Sequence, residues 1–215
     1  GVVTDKGTIR CETVINAAGA HAFHIAKLVG LELPIVPVRH EYFISVPCDG
    51  LTPNFPVIRI PDLSLYIRTD VNALLLGGWE PNPLHTDPQK YALGGNPPGI
   101  EPDWEVLAKF AEDLIPQFPK ASDLGIRSVF KGWPTFTPDG RFIIGPTEKV
   151  KGFVMAGGCN AHGVSGSAGI GRHVVESLLD LKPSPYVQSL SPNRFTKSQW
   201  NWPNAQANAA RIYAE

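Results

Sequence analysis

Apolar positions recur at helical spacing in "AHAFHIAKLVG", which closes on Gly30, and alternate in "LPIVPVRHEYFISVP", where Pro37 marks a strand start or a sheet edge. Ahead of them, "GVVTDKGTIRCETVINAAG" predicts a hairpin: a strand, a turn at Asp5-Lys6-Gly7, and a second strand from Thr8 to Ala17. "PVIRIPDLSLYIRTDVNALLLGGWE" predicts an antiparallel meander of three short strands, turning at Pro61-Asp62 and at the Asp70–Asn72 tip. Asn82 to Pro102 is rich in proline, glycine and asparagine and predicts a long surface loop. "PDWEVLAKFAEDLIPQFP" is the clearest helix, with Trp104, Leu107, Ala108, Ala111 and Leu114 on one face and Pro116 and Pro119 at its end. Strands return in "GIRSVFKGWPTFTPDGRFIIGPTE", with a turn at Pro138-Asp139-Gly140, and in "KGFVMAGG"; a helix follows from Gly166 to Leu181. The tail from Lys182 predicts a surface strap or linker that closes on a helical pattern, "NAQANAARIYAE". A strand-helix unit beside a block of antiparallel strands predicts an α/β piece joined to an α+β piece.

Composition narrows the function by exclusion. The 215 residues are 43% hydrophobic with a net charge of -1, so no basic excess points to nucleic acid or an acidic membrane surface. No apolar run approaches the roughly 20 residues of a membrane span. Cys11, Cys48 and Cys159 are odd in number and far apart, which gives neither a disulfide framework nor zinc spacing and favours a reducing compartment. The chain opens on Gly1, directly into the hairpin, and its last helical pattern stops without a cap. Both ends predict a piece of a longer protein.

The chemistry concentrates in "GFVMAGGCNAHGVSGSAGIGRHVVESLLD", Gly152 to Asp180, a strand, a glycine loop and a helix. Gly163, Gly166, Gly169 and Gly171 do not keep the G-x-G-x-x-G spacing of a dinucleotide fingerprint, and the expected acidic residue beyond it is missing. "GVSGS" has Ser167 where a nucleophile elbow needs glycine, and no histidine follows His173 to complete a triad. A third reading has the loop and helix N-terminus facing the polar edge of a flavin ring. There the free amides meet developing negative charge, and a Cβ would hold the backbone off the flat ring. A plain strand-to-helix turn packed against a sheet fits the same residues.

A resemblance favours the flavin. "TVINAAGAHA", "LPIVPVRHEYFIS" and "TFTPDGRFIIGPTEKVKGFVMAGGCNAHGVSGSAGIGRHVVESL" resemble, in order, three separated motifs of the glycine and sarcosine oxidase group of flavoenzymes. They are the strand and loop near the end of the FAD domain, the strand opening the substrate domain, and the C-terminal flavin loop and helix. "LYIRTDVNALLLGGWEPNP" and "LSPNRF" narrow it to the branch of dimethylglycine dehydrogenase, sarcosine dehydrogenase and the regulatory subunit of pyruvate dehydrogenase phosphatase. The resemblance implies the returning part of an FAD-binding Rossmann-like domain with an antiparallel-sheet substrate domain. Residues 1–30 would end the FAD domain, 31–130 form the substrate domain with one long helix, 131–181 return to the FAD domain, and 182–215 be a tail. The fingerprint, the ribose-binding acid and a flavin-carrying histidine would lie upstream. A folate-binding domain would follow in the dehydrogenase branch, and the chain alone would bind FAD poorly.

By carry-over, Ala18, Gly19, Gly157, Gly158, Asn160, His162, Gly163, Val164 and Ser165 would border FAD, with His162 as the catalytic candidate that places a donor or positive charge at the flavin edge. The bland alternatives are a tight turn for Ala18-Gly19 and a surface-loop histidine for His162. The implied substrate is a small secondary or tertiary amine with a carboxylate, oxidised at the carbon beside nitrogen without a metal. Arg39 and Arg68 are candidates for the carboxylate, with Tyr66 and His40 as neighbours; surface ion pairs are the bland alternative for both arginines. Gly132 stands where monomeric sarcosine oxidases carry the flavin-linking cysteine, and Ser165 where they carry a carboxylate-binding lysine. His21 and His24, three apart, read as surface helix residues, since two ligands alone make a poor metal site. The electron acceptor would be oxygen or a flavoprotein, and the compartment the cytoplasm or the mitochondrial matrix. The rival is a regulatory relative that keeps the fold without redox chemistry.

Overall fold

The structure, a computed structural model, describes residues 1–95, 97, 101–179, 181–196 and 200–215. Part of the expected 82–102 loop and Asp180, at the end of an expected helix, lie outside the described residues. The chain divides into two units, one of residues 1–38, 85–97 and 134–213, the other of residues 39–84, 98–133 and 214–215. The first crossing therefore falls at Val38/Arg39 rather than at Gly30, and the segment after Lys182 joins the first unit. No described helix is long and apolar enough to cross a membrane.

In the first unit, β1 (Val2–Thr4) and β2 (Gly7–Ile9) form the expected hairpin, but its second strand ends eight residues early. The chain resumes as β3 (Val14–Asn16), which pairs in parallel with β12 (Phe153–Gly157). Polar residues 10–13 make the change of partner. They cross close to Gly152, where a Cβ would lie 2.4 Å from the Glu12 carbonyl oxygen. β11 (Ile143–Pro146) completes this sheet in the order β11-β12-β3, and β4 (Val36–Pro37) pairs with β10 (Thr135–Phe136). Helix α1 (Ala22–Leu28) buries Ala22, Phe23 and Ala26 against Leu33, Ile143 and Met155. Burial of each large apolar side chain here contributes roughly 1.5–3 kcal/mol.

Three further helices lie in or mainly in this unit's C-terminal stretch: α4 (Pro185–Ser189), α5 (Asn193–Thr196) and α6 (Trp202–Ala214). They replace the expected strap because Val187, Phe195, Ala205, Ala209 and Tyr213 are buried.

In the second unit, strands β5 (His40–Pro47), β6 (Ile58–Ile60), β7 (Leu65–Asp70), β8 (Ala73–Gly78) and β9 (Ile126–Gly132) make an antiparallel sheet in the order β6-β7-β8-β5-β9. The meander is as expected. Strand period two sorts its residues: Phe43, Leu65, Ile67, Leu74 and Leu76 face helix α2 (Trp104–Leu114), while Tyr42, Tyr66, Leu75 and Gly77 face the other way. Asp103 caps α2 by accepting from the Val106 amide at 3.3 Å. The buried helix face is Leu107, Phe110 and Leu114, with Ala111 partly buried, whereas Trp104 and Ala108 point out. Phe110 settles the rotation. Its ring fills the space over Gly78, where a Cβ would lie 2.8 Å from it.

Candidate functional site

The first unit gathers its predicted residues at one edge. β3 and β12 run parallel with Met155 opposite Asn16, so the loops that follow them leave from the same carboxyl end. That is the end at which open α/β sheets take ligands. From β3 come exposed Ala18 and Gly19; from β12 come Gly158 to Gly166 and helix α3 (Ser167–Leu178). Asn16 fixes the first loop, donating from Nδ2 to the Ala22 carbonyl at 2.8 Å and accepting from the Ala18 amide at 3.3 Å.

Asn160 fixes the second loop and does not offer its side chain to a ligand. It is buried, accepts from the Thr137 amide at 3.0 Å and donates to the Gly158 carbonyl at 3.0 Å, while its own amide donates to Thr135 at 2.8 Å. Gly158 likewise answers to the protein: its φ is +58°, and a Cβ would lie 2.5 Å from Thr137 Cγ2. Gly157 is buried, and a Cβ there would lie 3.4 Å from the Ala22 Cβ. These three shape the loop from beneath.

Gly163, Val164, Ser165 and His162 are exposed, Val164 at 92%. A Cβ on Gly163 would meet Cys159 at 3.7 Å, and on Gly169 or Gly171 nothing within 4 Å. The chain itself therefore does not demand glycine there, although Gly169 and Gly171 each cost α3 about 1 kcal/mol relative to alanine. The amides of Gly163, Val164, Ser165, Ala168 and Gly169 find no acceptor among the described residues. Unspent amides and bare backbone on one exposed turn fit the flat, electron-rich edge of a flavin. His162 Nδ1 donates to the Asn160 carbonyl, which fixes the tautomer and leaves Nε2 outward.

The second unit builds a different surface. On the sheet face away from α2, Tyr66 lies across Gly77, where a Cβ would sit 2.3 Å from the Tyr66 hydroxyl. The missing side chain lets Tyr66 reach His40, with which it shares a hydrogen bond of 2.9 Å from the hydroxyl to Nε2, and the two rings stack at 5.8 Å. Burial lowers the His40 pKa to about 4 and raises that of the Tyr66 phenol, an effect to which Tyr42 adds. His40 is therefore neutral near pH 7. Trp79 closes one side, 5.4 Å from His40 and 5.1 Å from Tyr66, and carries the Arg59 guanidinium 4.4 Å above its ring. Arg68 shares the face of Tyr66, donates to the Thr69 carbonyl at 3.0 Å and stands 3.8 Å from Asp70. That pair is exposed and weak.

Arg39 is a correction. It is 6% exposed and turns to the α2 side, 2.7 Å from Asp103, 3.3 Å from Glu80 and 3.7 Å from Glu41. With three carboxylates around it, its charge is already engaged, and it ties the N-terminus of α2 to β5 and to Glu80, two residues beyond β8. Burial raises the pKa of Glu41 and of Glu80 despite the guanidinium. The sequence reading missed Arg59 and Trp79. Their signal was present, since alternation in "VIRI" and "LGGWE" puts both on the face of Tyr66. His24 is a second correction: it is buried at 8% exposure.

One unit thus carries a parallel strand pair with glycine loops at its carboxyl end, and the other an antiparallel sheet with a polar-aromatic face. The chain belongs to the FAD dependent oxidoreductase family (DAO), whose model matches residues 1–177. Sarcosine dehydrogenase of Homo sapiens is 30% identical over 205 residues, 94% of this chain and 22% of that protein. The pyruvate dehydrogenase phosphatase regulatory subunit of Mus musculus is 31% identical over 200 residues, 91% and 22%. The chain thus spans about a fifth of the length of these two relatives. Among solved structures, L-proline dehydrogenase from P. horikoshii shares the fold with a TM-score of 0.75 at 24% identity, over 94% of this chain and 51% of that one.

Proposed function

We propose that this chain serves an FAD-dependent oxidation of a small secondary or tertiary amino acid of the sarcosine or dimethylglycine kind. The observation that carries the reading is the sheet face on which neutral His40 and Tyr66 meet over Gly77, beside Trp79 and two guanidinium groups. Oxidation beside nitrogen requires the amine without its proton. His40, uncharged above about pH 4, adds no repelling charge there. Arg68 and Arg59 supply the cationic partners a carboxylate needs, and the Trp79 and Tyr66 rings exclude water from an N-methyl group. Bound FAD supplies the two-electron acceptor.

In the first unit, the unspent amides from Gly163 to Gly169 would hold negative charge at the pyrimidine end of the ring. His162 adds to them only when protonated, because its Nδ1–H is held by Asn160 and Nε2 gains a proton only then. Ala18 and Gly19 would offer bare backbone to the cofactor. A flavoprotein electron acceptor and a folate-binding domain belong to the same proposal, as does a mitochondrial or cytoplasmic site of action.

Identity does not separate the enzyme from the regulatory relative, at 30% and 31%. What supports the enzyme is the burial of a hydrogen-bonded histidine and tyrosine beside two guanidinium groups, where leucines would pack at less cost. The test uses the full-length protein. Sarcosine or dimethylglycine added without oxygen should bleach a bound yellow flavin, and Tyr66→Phe should raise KM about tenfold with flavin content unchanged. A colourless protein, or one that no small secondary or tertiary amino acid bleaches, overturns the reading.

A further inference from the structure

Beneath the Ala18-Gly19 loop, three polar side chains of the first unit come together with atoms that have nothing to bond. His21 Nδ1, His24 Nδ1 and the Tyr91 hydroxyl are all buried and find no hydrogen-bond partner among the described residues. The rings lie 5.4 Å apart for His21–His24, 6.3 Å for His21–Tyr91 and 4.8 Å for His24–Tyr91. An unpartnered buried polar atom costs about 1–3 kcal/mol, so three in one place ask for an explanation.

The tautomer of His24 sharpens it. Its Nε2 lies 2.9 Å from the Tyr91 backbone carbonyl. A carbonyl only accepts, so Nε2 carries the hydrogen and Nδ1 is a bare lone pair in the interior. A ring nitrogen oriented by a backbone carbonyl on its far side is how proteins prepare a histidine to ligate a metal. We propose that His21, His24 and Tyr91 form a site for a single divalent cation of the zinc class, with water in the fourth position. Two imidazoles bound at about 2.1 Å to a tetrahedral cation hold their ring centres roughly 5 Å apart, close to the His21–His24 separation. His24–Tyr91 is the tighter pair, so the phenol swings outward on binding. The phenol, held up at about 12 by burial and by Asp87, releases its proton to solvent as it coordinates. No set of three or more His, Cys, Asp and Glu gathers among the described residues. Here the third ligand is a tyrosine, 67 residues from His24 in the chain, which histidine spacing alone does not reveal. The site does not depend on the redox reading.

The experiment is calorimetric titration of the untagged, chelator-treated full-length protein with Zn2+, with Cu2+ as a spectroscopic probe. One equivalent should bind, and Cu2+ should show a tyrosine-to-metal charge-transfer band. His24→Gln, which keeps an N–H for the Tyr91 carbonyl, and His21→Ala should each weaken Zn2+ at least about tenfold. Tyr91→Phe should erase the band. If His24→Gln fails to fold, His21→Ala on the half-buried ring decides. Absence of binding, or binding unchanged in the histidine variants, overturns the proposal.

Discussion

The wall in the first unit is made of backbone, whereas the face in the second is made of side chains. Gly163, Val164 and Ser165 offer amides and empty space on one turn, and Asn160 spends its whole side chain holding that turn in shape. His40, Tyr66 and Trp79 present rings and hydroxyls, and the one glycine among them, Gly77, serves to let Tyr66 lie down. A flat cofactor edge asks for close backbone approach, while a small amino acid asks for charge and hydrogen bonds at chosen points. The difference predicts where substitutions act. In the wall they change binding with little effect on folding, unless they touch the loop's underside. In the sheet they change both.

The largest effect should come from Arg39→Met, which leaves Glu41, Glu80 and Asp103 without their shared counter-charge. Destabilisation of about 3–5 kcal/mol in chemical denaturation is expected at neutral pH. Because the pKa of Glu41 and of Glu80 is raised in the fold, both take up protons readily as pH falls, so the penalty should shrink toward acid. A penalty that grows toward acid would mean that Arg39 is not their counter-charge. Next, Gly158→Ala should cost about 2–4 kcal/mol, since it forces a Cβ onto Thr137 at a positive φ.

That wall and sheet divide in this way was half visible beforehand. Backbone requirements appear as residue types, so the glycine loop, its flanking strand and helix and the exposed tip at His162 were all legible. The sheet face was legible only as alternation. The Tyr66–His40 contact spans 26 residues and depends on β8 lying between β7 and β5, and on Gly77 being empty. Arg39 looked like Arg68 because its partners Glu80 and Asp103 lie 41 and 64 residues away. On α2, Trp104 attracted the apolar face by its size, although a first-turn position let it point outward while Phe110 took the core.

His40 gives an intermediate effect with a defined sign. Its pKa falls from an ordinary 6.5 to about 4, so the unfolded chain takes its proton first. Stability should therefore fall as pH drops from about 6.5 toward 4, and His40→Gln should flatten that slope in urea titrations run across the range. Tyr66→Phe should cost only about 1 kcal/mol of folding. Smallest of all, Gly163→Ala should leave stability within about 0.5 kcal/mol, and Gly169→Ala should raise it by up to about 1 kcal/mol. Both should lower the flavin retained by the full-length protein on gel filtration. Retention unchanged in both would erase the contrast between wall and sheet.

Strand β3 bonds to β12 along one side, and among the described residues its other side meets no strand, while Ile15 is 47% exposed. An extended segment with an open row of donors and acceptors recruits a like segment from a neighbouring molecule. Preparations of these 215 residues alone should turn cloudy as concentration rises, and a lysine in place of Ile15 should keep them clear.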